Sequence, residues 1–388
     1  MSLRGLTVIA TLLFCSHWVA AAPRVWTLPD GRKLTATVTG IEGGHVLLLP
    51  ENGKSPSRIP TSGLNESDRA EVDRWVPPGR RAAGTNTEVK RDAEGWPVSV
   101  VLKDLPTVTV VEENRPSSRY VYRSDHFEFT STQRLSADIV REFSRVFEVN
   151  FEAVASMPLG ITPEAPRGYF KVTLFPSIAA YTAAGAPAGS GGLFRGSTGE
   201  VMVPLPNLGV RRSGNRWIMD GRGDNQPLIH EVTHQVMGTW LSILPVWMVE
   251  GMAEYLAAGR CSNGRLTLHA DFDQILEFLN TQKGVKGRSM DVRHPQRLLP
   301  MSHDKWAADL AGPSGLKNYA SALLAFYFFC HADDSGTGII AYFKARPASP
   351  TPDNDAAERD KFLLRGRDWD TLWKEMTAAF EQRRFRIS

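Results

Sequence analysis

Residues 228–257 read LIHEVTHQVMGTWLSILPVWMVEGMAEYLA, and the rest of the chain is best interpreted outward from this stretch. Its first half holds His230, Glu231 and His234 in the order H-E-x-x-H. On a helix, side chains four residues apart leave the same face one turn apart, so the two imidazoles are directed toward one point. Glu231 directly follows the first histidine, so we expect its carboxylate to lie beside that point.

This spacing is typical of catalytic zinc sites, which take three protein ligands and keep a fourth position for water. Glu250 can supply the third ligand from a second helix, because the Leu-Pro pair at 244–245 turns the chain back. Glu254 lies one turn further along that helix, where an outer carboxylate can hold a ligating histidine. The sequence therefore predicts a Zn²⁺ site with three ligands, His230, His234 and Glu250. Glu231 is the predicted general base, and Glu254 is the predicted outer partner of a ligating histidine.

The first half of the stretch has a simpler interpretation, an amphipathic helix whose histidines are merely hydrogen-bonded near the core. That interpretation does not require a second acidic segment close by. The chain supplies one at Trp247–Tyr255, which reads WMVEGMAEY. The pair of segments therefore favours a metal site.

The segments HEVTH and PVWMVEGMAEY resemble the gluzincin zinc metallopeptidases, in which a Glu on a second helix is the third ligand. The second segment is similar to the N-E-G-F-A segment of the aminopeptidase N group. It is more similar to the W-x-x-E-G-x-A-E-Y of bacterial gluzincin-like proteins of unassigned function. Fifteen residues lie between His234 and Glu250; the aminopeptidase spacing is longer, which argues against membership of that group. With weaker similarity around the motifs, the resemblance covers about residues 120–345.

A second resemblance concerns residues 319–329, which read YASALLAFYFF. They are similar to the Y-x-K-G-x-x-L-L-F-Y segment of leukotriene hydrolase and its aminopeptidase relatives, whose leading Tyr stabilises an oxyanion. The resemblance assigns that role to Tyr319, although Ser321 and Ala322 replace the Lys and Gly of the pattern. The alternative is a core tyrosine that hydrogen-bonds to backbone. His303, in the sequence SHDKW, is a second candidate for stabilising the transition state.

The region before the H-E-x-x-H segment is rich in glycine between residues 184 and 199. No strand-to-helix fingerprint or Lys-Ser/Thr ending supports phosphate binding there, so we predict a mobile loop. Strand Glu200–Val203 follows. The resemblance implies that the sheet edge preceding the active-site helix pairs with extended substrate, and this strand is placed for that role. The G-A-M-E-N signature of aminopeptidases is absent, which favours an endopeptidase.

The N-terminus predicts a signal peptide over residues 1–21, with cleavage near Ala21. Arg4 gives a positive n-region, Leu6–Phe14 an apolar core, and Val-Ala-Ala at 19–21 a small-residue cleavage site. The apolar run is too short to span a bilayer, and we expect no stable membrane insertion elsewhere. The protein is therefore predicted to be exported, either periplasmic or secreted. In that oxidising environment Cys261 and Cys330 can pair or remain two separate thiols.

Residues 24–76 predict a small unit of short alternating strands separated by turns and followed by a helix. The W-T-x-x-D-G-R opening, the G-x-x-x-x-x-V-x-L centre and the S-x-L-x-x-x-D end resemble the SLA1 homology domain 1. That resemblance implies a small SH3-like β-barrel, whose ligand stays open. Residues 77–92 have linker chemistry, being rich in prolines, glycines and small polar residues.

Residues 93–388 are expected to form the gluzincin-like domain, β-rich over 93–225 and helical over 226–388. The overall prediction is an α+β protein: the small barrel, then a zincin-type catalytic domain with a mixed sheet, an active-site helix and a mainly helical C-terminal part. The chain has 388 residues, of which 42% are hydrophobic and 22% charged, and its formal charge is +3. No basic run or interleaved aromatic stripe points to nucleic acid.

These features together predict hydrolysis of peptide bonds in a peptide or protein substrate. Zinc brings the pKa of bound water to near neutrality, and Glu231 accepts its proton. A catalytically degenerate zincin-fold binding protein is one alternative, but a purely structural site has no need of a base. A zinc hydrolase acting on an ester or a glycan is another.

Overall fold

The computed structural model describes residues 23–42, 45–51, 53, 55–74, 86–165, 168–220, 225–268, 272–282, 287–310, 315–346 and 352–388. The predicted signal peptide and most of the predicted linker lie outside these residues. The described chain combines helices with several sheets, so the α+β class is confirmed. No described helix is long and apolar enough to cross a membrane.

The N-terminal unit is a four-stranded antiparallel meander with a helix packed on it. Its strands pair in sequence order: β1 (Arg24–Thr27), β2 (Lys33–Glu42), β3 (His45–Pro50) and β4 (Ser57–Pro60). A 3₁₀ turn at Thr61–Gly63 leads into α1 (Glu66–Arg74). Alternate strand residues and α1 enclose a separate small core: Trp26, Ala36, Val38, Val46, Leu48, Leu64 and Val72. The described strands form an open sheet and do not close into a barrel.

A second sheet begins inside the segment that composition assigned to the linker. β5 (Thr87–Arg91) pairs with β6 (Pro97–Leu102), and the order β15-β16-β6-β5 is completed by two later strands, β15 (Arg260–Ser262) and β16 (Arg265–Thr267). The predicted linker over 77–92 is therefore too long. Val89 is the reason, since its side chain packs against the main core and ties this strand to the sheet.

The main sheet has six strands and is mixed, as predicted. Its order is β11-β12-β10-β9-β8-β7. β9, β10 and β12 run parallel, and the outer pairs are antiparallel. The strands are β7 (Thr109–Asn114), β8 (Arg119–Arg123), β9 (Phe127–Ser131), β10 (Phe170–Phe175), β11 (Leu193–Arg195) and β12 (Glu200–Pro204).

The prediction that strand Glu200–Val203 forms the sheet edge is wrong. The glycine-rich segment contributes a further short strand, β11, which folds back antiparallel on β12. β12 therefore lies between β11 and β10, and the edge nearest the H-E-x-x-H helix is β11.

The C-terminal part is mainly helical. Two short two-stranded sheets accompany the helices: β13 (Val210–Ser213) with β14 (Arg216–Met219), and β17 (Ser289–Met290) with β18 (Arg386–Ile387). The remaining helices are α2 (Ala137–Ser156), α3 (Ile178–Ala183), α4 (Gln226–Met237), α5 (Trp240–Ile243), α6 (Val246–Ala257), α7 (Phe272–Gln282), α8 (Pro295–Leu298), α9 (His303–Leu310), α10 (Gly315–His331), α11 (Thr337–Ala345), α12 (Pro352–Glu358), which continues as a π-helical turn over Arg359–Leu364, and α13 (Trp369–Gln382).

Helix α6 lies at the centre of the main core, between α4 and α10. Eleven of its twelve residues are buried. Gly251 permits the close approach of α10, because a Cβ there would lie 2.6 Å from the carbonyl oxygen of Ala322. Cys261 and Cys330 are both free thiols, and burial raises the pKa of Cys261 to about 12.

Candidate metal centre

Helix α4 presents the two histidines because its other face is apolar. Leu228, Ile229, Val232 and Val236 are buried against the main core. His230 and His234, which stand between these apolar positions in the sequence, lie on the side of α4 that faces α6. Their rings are perpendicular, with centroids 4.7 Å apart.

Helix α6 brings the acidic residues to the same place. The chain leaves α4 at Gly238, passes through the short α5 and restarts after Pro245, whose extended backbone (φ −65°, ψ 148°) precedes the first turn. Glu250 and Glu254, one turn apart on α6, then face the histidines of α4. The α4–α6 pair therefore assembles four side chains that are up to 24 positions apart in the sequence.

Three donor atoms converge in a triangle. His230 Nε2 lies 3.0 Å from His234 Nε2 and 3.4 Å from Glu250 Oε2, and His234 Nε2 lies 3.3 Å from the same oxygen. Tetrahedral donors at 2.0–2.1 Å from zinc lie about 3.3 Å from one another. The triangle therefore has the size of one face of a tetrahedral zinc site. Among the His, Cys, Asp and Glu side chains of the described residues, His230, His234 and Glu250 have ligand atoms close enough together to hold one metal ion.

Glu254 lies behind the first histidine rather than in the triangle. Its Oε1 is 3.2 Å from His230 Nδ1. A hydrogen bond from Nδ1–H leaves the lone pair of His230 on Nε2, the atom that faces the triangle. Glu254 is therefore placed to set the tautomer and orientation of this histidine.

The electrostatics of the centre favour a cation. Burial would lower the pKa of His230, but Glu250 and Glu254 overcome it and raise this pKa to about 10. Burial would raise the pKa of Glu250, but His234 and His230 hold it well below its usual range. A buried centre with three carboxylates and two imidazoles requires positive charge, which either protons or a divalent cation can supply.

Glu231 follows His230 on α4 and is held by the edge strand. Its Oε2 accepts a hydrogen bond of 2.6 Å from the backbone N–H of Phe194 in β11. The glycine-rich loop approaches from the same direction. A Cβ on Gly191 would lie 2.6 Å from the side chain of Pro227, so only glycine permits this approach. Asn207 anchors the loop by donating to the Gly191 carbonyl oxygen at 2.8 Å.

A cavity of about 450 Å³ opens onto the centre. Its lining includes His230, Glu231 and Glu254 on one side and Tyr319 of α10 on another. The Tyr319 ring is 5.9 Å from the His230 ring. Burial and the charge of Glu250 raise the pKa of Tyr319, so its phenol stays protonated and can donate a hydrogen bond.

The structure does not bring His303 to this cavity. His303 is exposed at the first residue of α9 and is not part of the cavity lining. The side chain of this segment that contacts Tyr319 is Trp306, whose buried ring packs edge-on against the tyrosine ring at 5.4 Å. His303 stands at the very start of α9, where its side chain remains exposed.

Sequence reasoning missed the groups that support Glu231 and Tyr319. These are the Phe194 amide and the Trp306 ring. A further group is Tyr181, which holds the glycine-rich loop, since its hydroxyl lies 2.8 Å from that of Ser190. A backbone amide carries no signal in the sequence. Trp306 lies three residues after His303 in the sequence, and its large apolar ring is the stronger indication of a buried contact.

No protein-family model matches this chain, and no curated protein matches it in sequence.

Proposed function

We propose that this protein is an exported zinc-dependent peptidase that hydrolyses internal peptide bonds. The observation that supports it best is the triangle of His230 Nε2, His234 Nε2 and Glu250 Oε2 with sides of 3.0–3.4 Å. One of its members, His230, lines a cavity together with Glu231. A structural zinc site is closed by four protein ligands, whereas three converge here.

Three residues would hold the zinc ion: His230, His234 and Glu250. A zinc ion bound there supplies Lewis acidity, which makes water a nucleophile near neutral pH. Glu254 fixes the orientation of His230, and the Phe194 amide fixes that of Glu231.

Glu231 acts as the general base in this proposal. It accepts a proton from the attacking water and passes it to the nitrogen of the leaving amine. Tyr319 donates a hydrogen bond to the oxyanion that develops on the former carbonyl oxygen. The extended substrate lies along β11, the edge strand that already contacts Glu231.

The proposal also assigns a fold to each of the two units of the chain. Residues 93–388 are inferred to be a zincin-type domain, because a mixed sheet precedes the H-E-x-x-H helix and its edge strand borders the site. Residues 24–76 are inferred to be a relative of the SH3-like SLA1 homology domain 1, on the strength of their meander and its separate core. The placement of Glu231 favours catalysis over a degenerate binding protein, because a metal site that only binds has no use for this carboxylate.

The first test combines metal analysis with one substitution. The purified mature protein should contain one zinc ion per chain and should cleave members of a broad peptide library, and a chelator should abolish cleavage. Glu231→Gln should keep zinc and lower turnover by roughly 100- to 10,000-fold, since an amide cannot accept the proton. Near wild-type turnover in Glu231→Gln would rule out this mechanism.

A further inference from the structure

The lining of the cavity beside the metal centre combines polar and apolar side chains. The polar ones include His230 and Glu231. The apolar ones include three side chains from three helices: Ala257 of α6, Phe278 of α7 and Leu316 of α10. Ala257 and Phe278 are buried, with 2% and 4% of their surfaces exposed.

Leu316 differs from these two because it is exposed. Its exposed fraction is 55%, the largest among the exposed large hydrophobic residues of the described chain: Val25, Leu105, Ile178, Met219, Leu310 and Leu316. A leucine in this position loses contact with water only when something apolar covers it. Since Leu316 shares a cavity with Glu231, a molecule bound at the centre can supply that apolar group.

The charges of the cavity exclude one class of bound group. Its described lining contains the carboxylates of Glu231 and Glu254 and no lysine or arginine. An acidic side chain would therefore be buried near two like charges with no lysine or arginine to pair it. A substrate's C-terminal carboxylate is disfavoured for the same reason.

We propose that these three apolar side chains receive the side chain of a leucine- or phenylalanine-sized residue that adjoins the scissile bond. Leu316, which is exposed, and Phe278, which is buried, are then specificity-determining residues. The inference rests on the proposed peptidase function for the identity of the ligand as a peptide. It adds that the protein selects large apolar residues and rejects acidic ones at this position.

The test uses three peptides that differ only in the residue beside the scissile bond, which is Leu, Ala or Glu. For the wild-type protein, kcat/KM should be roughly 10- to 200-fold higher for the Leu peptide than for the Ala peptide. The Glu peptide should be the poorest substrate. Leu316→Ser should reduce the Leu-over-Ala ratio by on the order of tenfold and leave the Ala peptide nearly unchanged.

Leu105→Ser is the matched control, because Leu105 is also an exposed leucine (44%) but does not line the cavity. It should leave all three values unchanged. Both substitutions affect exposed side chains, so both variants should fold.

A binding measurement separates this inference from the proposed function. Dissociation constants for the same three peptides are measured on zinc-loaded Glu231→Gln, which binds without cleaving. Equal affinity for the Leu and Ala peptides, or equal effects of Leu316→Ser and Leu105→Ser, would overturn the specificity inference. Preferential binding of the Leu peptide without cleavage by the wild-type protein would support the inference and overturn the peptidase proposal alone.

Discussion

Glu250 and Glu254 are one turn apart on the same helix, but they have different partners. Glu250 Oε2 faces both Nε2 atoms, whereas Glu254 Oε1 faces Nδ1 of His230 alone. The first carboxylate is therefore in the position of a ligand, and the second is in the position of a ligand's support.

Substituting Glu250 or Glu254 by alanine should have different effects on zinc binding. Glu250→Ala should abolish zinc binding and activity, since only two histidines would remain. Glu254→Ala should retain zinc at saturating metal and lose about 10–100-fold in affinity or rate. Zinc content after dialysis against a graded chelator measures both. If Glu254→Ala lost its zinc and Glu250→Ala retained it, Glu254 would be the ligand and Glu250 the supporting carboxylate.

Tyr319 has a protonated phenol beside the centre, and its ring is held between His230 and Trp306. Tyr319→Phe should keep the ring packing and lose the hydroxyl. If the hydroxyl donates to the oxyanion, turnover should fall on the order of 100-fold with little change in KM or zinc content.

A core role for Tyr319 predicts the opposite pair of measurements. The unfolding free energy would fall by about 1 kcal/mol for a lost hydrogen bond, and turnover would be preserved. His303→Ala is the control, because His303 is exposed and outside the cavity. It should behave as wild type in both measurements, and a loss of turnover would restore it as a candidate.

The contact between α6 and α10 controls the position of the two carboxylates. At Gly251 a Cβ would lie 2.6 Å from the carbonyl oxygen of Ala322 and 2.9 Å from the Cβ of Phe326. Neither neighbour is the flexible end of a side chain. The glycine in the E-G-M-A-E sequence therefore sets the distance between the two helices.

Gly251→Ala should destabilise the protein by about 1–3 kcal/mol, because α10 must move away to admit the methyl group. Helix propensity alone predicts the opposite effect, an increase of roughly 0.5–1 kcal/mol in the free energy of unfolding. Chemical denaturation measures the difference. Gly196→Ala is the control, since a Cβ there meets nothing within 4 Å. A Gly251→Ala variant as stable as wild type would show that α10 yields freely.

The N-terminal unit covers the far edge of the main sheet. β7 is the last strand on that side, and its register shifts between Val110 and Glu112. The bulge leaves Val111 unpaired in the ladder, and its side chain packs against the core of the N-terminal unit. A β-bulge re-aims a side chain in this way, and here it joins the two units.

Deleting residues 24–76 should leave a folded unit that still binds zinc and cleaves short peptides. The uncovered β7 edge should make this unit prone to aggregate, since an open edge strand invites pairing with another chain. Light scattering and zinc content measure the two effects. Val111→Lys in the truncated chain should restore solubility. Loss of short-peptide cleavage in the soluble truncated protein would show that the N-terminal unit belongs to the catalytic core.

Local sequence was sufficient for the groups that lie within one helix or on two helices joined by a short turn. The i, i+4 spacing of His230 and His234 is a property of α-helical geometry. The position of Glu250 follows from the Leu-Pro turn that reverses the chain. The α+β class and the strand Phe170–Phe175 were similarly predictable, because their patterns are short and periodic.

Tertiary structure alone decided which strand forms the edge, which residue of α9 reaches Tyr319, and which amide holds Glu231. β11 is only three residues long and carries no clear alternation, so its pairing with β12 depends on contacts made elsewhere. The inward turn of Trp306 depends on how α9 packs against α10. The hydrogen bond from Phe194 to Glu231 joins residues 37 positions apart through a backbone N–H. Every residue but proline carries this group, so no side-chain pattern can reveal which one is used.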